Sequence, residues 1–326
     1  MTGWRLRAAS AAAAVVLDHL VGDPGDRLHP VAWFGRAMAR REQRAWRDQR
    51  LGGARHLAVG AVAAAVPVAV LCAGARRLGG AVAGTALSVA VVTVTLGARS
   101  LDRRAAEIGD ALGAGRIDEA RRLLPALVGR DPTSLDEAEI ARAVVESVAE
   151  NTVDAVVAPL MWAAVGGPVA AAAYRAVNTL DAMVGYRDDR YRHFGWASAR
   201  ADDVANFVPA RIGAAIVALC SPGNAAGMAR AVRRQAPGHP SPNAGVVEAA
   251  FAAALGLRLG GSNRYGDVVE QRVALGDGRA AAPGDIVRAR LLSRRVTAVA
   301  AVALALPCLW QLRCCSAIDR PGGGAR

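Results

Sequence analysis

The sequence contains no lysine, although it is strongly basic: the formal net charge of +12 at pH 7 comes from arginine alone. A P-loop needs a lysine on the nucleotide phosphates, and pyridoxal phosphate needs a lysine for its Schiff base, so both kinds of site are excluded. The positive charge indicates anionic partners, either phosphate-bearing substrates or a membrane surface. No nucleic-acid partner is expected, because the arginines are spread over many segments and only 4% of the residues are aromatic.

Several further patterns are missing. The five cysteines show no CxxC spacing, so we predict buried thiols rather than disulfides or zinc ligands. The chain has no GxSxG, no HExxH and no glycine fingerprint after a strand. It also shows no strand-like alternation of apolar and polar residues, and the sequence therefore predicts an all-α protein.

Long uncharged segments are present instead. Leu57 to Ala75, Leu78 to Ala98 and Val296 to Leu312 each have about the ~17 to 25 residues that a helix needs to cross a bilayer. The first two have no charged position on any face, and only an Arg76-Arg77 turn separates them, which predicts a transmembrane hairpin. Trp4 to Gly22 is predicted to be a retained membrane segment rather than a cleaved signal.

Polar helices are predicted between these segments. Arginines at helical spacing from Arg36 to Arg55 indicate an amphipathic helix at the cytoplasmic membrane surface, and Arg99 to Leu127 reads as a soluble helical stretch. Ser134 and Glu137 form a capping box that starts the next helix. A further helix is predicted from Val246 to Leu259, followed by a glycine-rich loop. We treat 1–326 as one polytopic membrane domain and expect its tail, 313–326, to be disordered.

An apolar run, Ala155 to Val177, is broken in its middle by Gly166-Gly167-Pro168. Each half is about ten residues, too short to span a membrane alone, which predicts a re-entrant segment or a helical hairpin. Near-identical sequences flank the run, Asn-Thr-Val-Asp-Ala at 151–155 and Asn-Thr-Leu-Asp-Ala at 178–182. A hairpin brings the two copies together as halves of one polar site.

Three carboxylates, Glu146, Glu150 and Asp154, recur every four residues on one helical face and repel each other. Magnesium would compensate this repulsion if phosphates are present, because it takes oxygen ligands and bridges to substrate phosphate. Asn151 and Asp181 are expected nearby. The alternative is a solvated acidic stripe paired to arginines.

A charged segment follows the second copy. Arg187, Arg190, Arg192 and Arg200 lie there beside acidic residues that include Asp202 and Asp203. Arginine binds phosphate through a planar bidentate fork, so this segment is a candidate dock for a nucleotide or a phosphorylated substrate. The alternative is a membrane-surface loop whose salt bridges neutralise each other.

Four blocks of sequence resemble one known family. They are LDHLVGDPGDRLHPVAWFGR (17–36), ESVAENTVDAVVAPL (146–160), YRAVNTLDAMVGYRDDRYRHFGWASARADDVANFVPAR (174–211) and HPSPNAGVVEAAFAAALGLRLGG (239–261). The chain resembles the CobD/CbiB family, the adenosylcobinamide-phosphate synthases of cobalamin biosynthesis. The resemblance implies ATP-dependent condensation of adenosylcobyric acid with aminopropanol or its phosphate, with ATP as co-substrate and Mg²⁺ inferred.

The resemblance implies only where the site lies, and the roles of the individual residues are our inference. The residues predicted to be catalytic are Glu146, Glu150, Asn151, Asp154, Asn178 and Asp181, with Mg²⁺ assigned to Glu150 and Asp154. The residues predicted to bind substrate or phosphate are Arg187, Arg190, Arg192, Arg200, Asp202, Asp203 and Asn243. The expected partners are the corrinoid, the amine, the lipid bilayer and other enzymes of the corrinoid pathway.

The arginine-rich stretches predict a multi-pass protein of the cytoplasmic membrane, with its active site facing the cytoplasm. Two other functions stay open. A Mg²⁺-dependent prenyl- or phosphatidyl-type transferase would show a denser DxxD or DGxxAR pattern, which is missing. A non-catalytic transport or assembly protein would have isolated charges inside long spans, whereas most charge here lies between the apolar segments.

Overall fold

The computed structural model of the protein describes residues 3–22, 29–129, 131–186, 188–265 and 268–318. Long helices form nearly all of it. The helices are α1 Gly3–Val21, α2 Pro30–Ala45, α3 Arg50–Thr95, α4 Ala98–Gly113, α5 Ile117–Leu123, α6 Glu137–Thr152, α7 Ala158–Val184, α8 Trp196–Cys220, α9 Ala225–Arg234, α10 Ala244–Leu255 and α11 Pro283–Ile318. A π-helical turn, Val153–Val157, joins α6 to α7, and short 3₁₀ turns occupy Leu124–Ala126, Pro222–Asn224 and Ala236–Gly238.

The first predicted hairpin is present within α3. The chain reverses at Gly80, whose φ of 68° lies in the left-handed region that glycine adopts without steric cost. The turn was predicted at Arg76-Arg77, and that position is wrong, because the helix continues through both arginines until a glycine permits the reversal. Side chains of Cys72 and Ser88, from the two arms, line one cavity.

The second predicted hairpin is also confirmed. Gly167 has a φ of 75° and breaks α7 in front of Pro168. Its arms are longer than the predicted ten residues, because helical structure continues from Glu137 through the π-turn to the break. The end of the apolar run is therefore not the end of the helix.

Within the part of the chain that the structure describes, three helical regions are long and apolar enough to cross a membrane: Arg50–Gly113, Glu137–Val184 and Trp196–Cys220. The predicted membrane segments Trp4 to Gly22 and Val296 to Leu312 are not among these three. They correspond to α1 and to part of α11, and these two helices pack against each other. The start of α1, the end of the first α3 arm and the Gly167 turn line one cavity and so lie at the same end of the molecule. The protein is an all-α membrane protein, as the sequence predicts.

Two helix boundaries differ from the predictions. The capping box is formed by Asp136 and Glu139, whose side chains accept hydrogen bonds from each other's backbone N–H at 2.8 and 2.9 Å. Ser134 instead lies in a preceding turn, where Asp131 accepts hydrogen bonds from Thr133. The predicted amphipathic helix Arg36 to Arg55 is divided between α2 and α3, because the chain is extended at Trp46.

A small sheet is the one departure from the all-α prediction. It has the order β2-β1-β3, with β1 Leu257–Tyr265, β2 Val268–Leu275 and β3 Arg279–Ala280. The helix predicted as far as Leu259 ends at Leu255, because Gly256 takes a left-handed conformation with φ 66° and terminates it. The predicted tail, 313–326, overlaps the last turns of α11 and otherwise lies outside the described residues.

Asp285 joins this sheet to α11. Its buried carboxylate accepts two hydrogen bonds from Arg279, one from Arg288 and one from the Ala282 N–H. Burial acts to raise the pKa of Asp285, but these donors outweigh it and hold the pKa below its ordinary value. The folded-state pKa is therefore lower than the unfolded one. The stabilisation is complete above the ordinary carboxyl pKa of about 4 and is lost as pH falls through the folded value.

We expect Asp285→Asn to lower the free energy of unfolding by about 2 to 3 kcal/mol, because it leaves two arginines without their buried carboxylate. Thermal unfolding in detergent at neutral pH measures this loss. Asp118→Asn is the matched control: its side chain is 84% exposed, and we expect it to cost less than about 1 kcal/mol. Equal stability of the two variants would contradict the assigned role of Asp285.

Candidate functional site

A small cavity opens where α6, α7, α8 and the start of α10 meet. Its polar lining residues are Glu150, Asp154, Asp202, Asn206, Ser241 and Asn243. Glu150 is exposed at its mouth, whereas Asp154 and Asp202 are half-buried and Asn206 and Asn243 are buried. The cavity volume is about 20 Å³, far below the ~300 to 1,000 Å³ of ordinary ligand sites. It has room for about one water molecule or a metal ion, not for a nucleotide or a corrinoid.

The two Asn-Thr-x-Asp-Ala copies meet at this cavity, as the sequence predicts. The Asn178 side-chain amide donates to Asp154 Oδ2 and to Asp202 Oδ1, both at 3.2 Å. The asparagine of the second copy therefore joins the aspartate of the first copy to α8. One amide holds two carboxylates in a fixed relation, which the hairpin at Gly167 makes possible.

A second layer of hydrogen bonds fixes Asp202. Asn206 Nδ2 donates to Asp202 Oδ2 at 3.0 Å, and the Tyr174 hydroxyl lies 2.9 Å from Asn206 Oδ1. The same hydroxyl lies 3.2 Å from the backbone carbonyl of Asp154. Asp154 is in the π-turn Val153–Val157, and such turns recur at functional sites. The carboxylates are thus positioned by three helices rather than by one.

Negative charge predominates at the site. Asp181 also lies within the electrostatic influence of Glu150 and Asp202. The nearby cations among the described residues are Arg175, which donates to Asn178 Oδ1 at 3.3 Å, Arg211, which donates to Asn243 Oδ1 at 2.9 Å, and Arg272, whose charge acts on Glu150. The carboxylates of Glu150, Asp154, Asp181 and Asp202 outnumber these three arginines, and the surplus of negative charge suits a divalent cation.

The oxygen ligands at the cavity fit one particular mode of Mg²⁺ binding. Among the described residues, no three His, Cys, Asp or Glu side chains converge closely enough to hold a metal by themselves. Mg²⁺ usually uses one or two carboxylates and takes its remaining ligands from water and substrate phosphates. Glu150 and Asp154, which both face the cavity, satisfy that pattern.

Four of the six residues predicted to be catalytic are not among the lining residues. Asn178 contacts two lining carboxylates and Asp181 lies within their electrostatic influence, whereas Glu146 and Asn151 have partners elsewhere. Glu146 is buried, and its Oε1 accepts a hydrogen bond from the Gly260 N–H at 2.8 Å, which ties β1 to α6. Asn151 donates to Ser147 O and Ser147 Oγ on its own helix. Catalytic roles for these two stay predictions that the geometry does not favour.

The arginine segment does not reach the cavity in the described residues. Arg190 forms an ion pair with Glu42 at 3.0 Å and lies over the Trp46 ring, so it fastens the segment to α2. Arg192 pairs with Asp189 at 3.5 Å and Arg200 with Asp203 at 3.4 Å. Arg187 lies outside the described residues. The geometry matches the alternative of internally neutralised charge, and phosphate binding by these arginines stays a prediction.

Asn243 lines the cavity, and its predicted role in binding substrate or phosphate stays a prediction. Its Oδ1 accepts from Arg211 Nη1 at 2.9 Å and its Nδ2 donates to the Asp203 backbone carbonyl at 2.8 Å. Ser241, in the same turn, also faces the cavity. The backbone N–H of Ser241 donates to His239 Nδ1 at 3.1 Å, which shapes this turn.

Sequence reasoning missed Tyr174, Arg175, Asn206 and Ser241. Helical spacing contained a signal for two of them, because Tyr174 precedes Asn178 by four residues and Asn206 follows Asp202 by four. Each pair shares a helix face with a residue already assigned to the site. Ser241 had no comparable signal, because only the packing of its turn against α8 brings it there.

The fold and the site define a polytopic helical membrane protein in which a helical hairpin closes on a carboxylate-lined cavity. The family model described as "CobD/Cbib protein" matches residues 11–293, and the chain belongs to this family. No solved structure matches the chain.

Relatives cover nearly the whole chain. The cobalamin biosynthesis protein CobD of Mycobacterium tuberculosis (strain CDC 1551 / Oshkosh) is 50% identical over 304 residues, 92% of this chain and 95% of the relative. The protein of the same name from Pelobacter propionicus is 41% identical over 309 residues, 91% and 94% of the two chains. That from Rhodobacter capsulatus is 39% identical over 298 residues, 89% and 94%. The chain is a member of a cobalamin biosynthesis family.

Proposed function

We propose that this protein is the ATP-dependent ligase that joins the carboxylate of adenosylcobyric acid to (R)-1-amino-2-propanol or its O-phosphate, giving adenosylcobinamide or its phosphate. The observation that carries the proposal is the Asn178 amide bridging Asp154 and Asp202 beside exposed Glu150. The bridge builds an oxygen-rich, electronegative cavity at the end of a hairpin, inside a family of cobalamin biosynthesis.

The chemistry requires an activated acid. A carboxylate is a poor electrophile, so its oxygen first bonds to the γ-phosphorus of ATP and ADP leaves. The amine nitrogen then attacks the acyl carbon, inorganic phosphate leaves, and the surplus ammonium proton passes to a base. Mg²⁺ bound to the nucleotide would neutralise charge on the transferring phosphoryl group.

The residues of the chain have separable tasks in this scheme. Asp154 would hold the cation in an orientation fixed by Asn178. Glu150 is exposed at the mouth, and its carboxylate accepts no hydrogen bond from a described residue, so its oxygens are open to a ligand. Tyr174 and Asn206 keep Asp202 in place. The small cavity leaves the nucleotide and the corrinoid outside, with the reacting groups at its mouth.

A direct assay tests the proposal. Purified protein in detergent is supplied with the corrinoid acid, the amine or its phosphate, ATP and Mg²⁺, and amide and ADP are quantified by liquid chromatography. We expect one ADP per amide and no amide without ATP. Formation of a prenyl or phosphatidyl product instead, or no amide from either amine with folded protein, would refute the ligase assignment.

We also propose that the cavity faces the cytoplasm, where ATP is present. Sidedness can be read from single cysteines on a background that lacks the native ones. Ser134 is exposed and suits labelling, but Ser198 is fully buried, so the exposed Asp189 is the position to use after the second copy. We expect an impermeant thiol reagent to label cysteines at 134 and 189 from the cytoplasmic side.

Leu78, 93% exposed beside the Gly80 turn, provides the matched control at the other end of the hairpin. A cysteine there should be labelled only from the opposite side. Labelling of 134 and 189 from different sides would contradict the hairpin geometry, and labelling of both from the outer side would contradict a cytoplasmic site.

A further inference from the structure

A second polar cavity lies at the opposite end of the hairpins from the carboxylates. Its volume is about 470 Å³, and its polar lining includes Arg7, Ser10, Arg76 and Ser88. Most of the remaining lining is apolar and comes from α1, both arms of α3 and the turn at Gly167. Two arginines and no carboxylate are among its lining residues, the reverse of the charge pattern at the site already described.

Neither guanidinium is compensated within the described residues. No described residue forms an ion pair or accepts a hydrogen bond from Arg7 or Arg76, and Arg7 Nε is buried without an acceptor. A cation between membrane-spanning helices is costly unless it is paired. Arg7 is half-buried and Arg76 is exposed. Both therefore present donors at this cavity, unpaired among the described residues, to an anion from outside the chain.

The side chains of Arg7 and Arg76 each pack against a glycine. A Cβ on Gly84 would stand 2.3 Å from Arg76 Cγ, and a Cβ on Gly167 would stand 3.3 Å from Arg7 Cδ. The aliphatic stems therefore lie directly across bare backbone. This packing of the stems places both guanidinium groups beside the cavity.

The position of the cavity near the ends of the apolar helices favours a lipid as its ligand. It lies beside the ends of the apolar helices, next to the Gly80 reversal, and the nearby Trp4 is 46% exposed, as is typical of tryptophan at a membrane interface. Apolar walls suit acyl and glycerol carbons, and arginine forks match phosphate oxygens. We propose that this cavity binds the phosphodiester headgroup of an anionic phospholipid, with Arg7 and Arg76 as its ligands.

Native mass spectrometry of the full chain in detergent tests this proposal with phosphatidylglycerol and phosphatidylcholine of identical chains. We expect wild type to retain phosphatidylglycerol in preference to phosphatidylcholine. Arg7→Gln and Arg76→Gln should each lower that retention by about tenfold, the effect of losing charge-assisted hydrogen bonds. Gel filtration and circular dichroism verify that each variant is folded.

Arg77→Gln is the matched control. It removes the same charge from the next residue in the chain, and Arg77 does not line the cavity. It should retain the lipid as wild type does. Equal losses in Arg76→Gln and Arg77→Gln would overturn the site in favour of general surface charge. Equal retention of both lipids, or displacement of phosphatidylglycerol by millimolar inorganic phosphate, would also overturn it.

Discussion

Glu150→Gln and Asp154→Asn should each lower the rate of amide formation by about 10² to 10³-fold while the proteins remain folded. Both changes keep the size of the side chain and remove one negative charge from the cavity. The cavity then holds the Mg-nucleotide less well, and the transferring phosphoryl group loses electrostatic support. Amide and ADP, measured at saturating ATP over a series of Mg²⁺ concentrations, report the effect.

The Mg²⁺ series separates a functional role from a structural one. Loss of a ligand should raise the Mg²⁺ concentration for half-maximal rate, which a packing defect would not do. Glu137→Gln is the control, because Glu137 lies on the same helix but is exposed in its first turn. Wild-type rates in both cavity variants with Mg²⁺ limiting would show that the carboxylates form only a solvated stripe.

Gly195→Ala should be the most damaging single-methyl change outside the cavity. A Cβ at this position would stand 1.7 Å from the backbone oxygen of Val184, which a side-chain rotation cannot relieve. The end of α7 must then separate from the start of α8. Since α8 contains Asp202 and α7 contains Asn178, the separation loosens the hydrogen bond between them. We expect a loss of about 3 kcal/mol in unfolding free energy together with a loss of ligation activity.

Thermal unfolding in detergent and the ligation assay measure both effects. Gly113→Ala is the matched control: no atom lies within 4 Å of its Cβ position at the end of α4, so stability should be unchanged or slightly higher. Gly53→Ala, whose Cβ would stand 1.7 Å from Phe194 O, should resemble Gly195→Ala. An unchanged melting temperature in Gly195→Ala would show that α7 and α8 are not held in the described contact.

The hairpin and the meeting of its two flanking copies could be predicted because their signals are local. Gly166-Gly167-Pro168 permits a reversal, and a repeated Asn/Asp pair on each side indicates what the reversal joins. The exact turn of the first hairpin was misplaced for a related reason. Two arginines look like a boundary in sequence, but only Gly80 supplies the backbone conformation that a reversal needs.

The helical spacing of Glu146, Glu150 and Asp154 does not decide which of them reach the same site. Glu146 and Asp154 share a helix face, yet eight residues of helix separate them by about 12 Å, so they cannot both reach one small cavity. Glu146 accepts a hydrogen bond from the backbone N–H of Gly260, 114 positions away. No local sequence pattern predicts a contact over that distance in the chain. The strands themselves were missed because Gly260 and Gly261 interrupt the alternation that would reveal β1.

The hydrogen bond from Asn178 to Asp154 has a consequence for biogenesis. The two residues are 24 positions apart, so during synthesis Asp154 emerges before its amide donor exists. Asp154 therefore has no fixed orientation until the second arm of the hairpin has folded back against the first. The cavity is consequently assembled only after the second Asn-Thr-x-Asp-Ala copy has left the ribosome and the hairpin has closed. The repeat thus couples the order of synthesis to the assembly of the site.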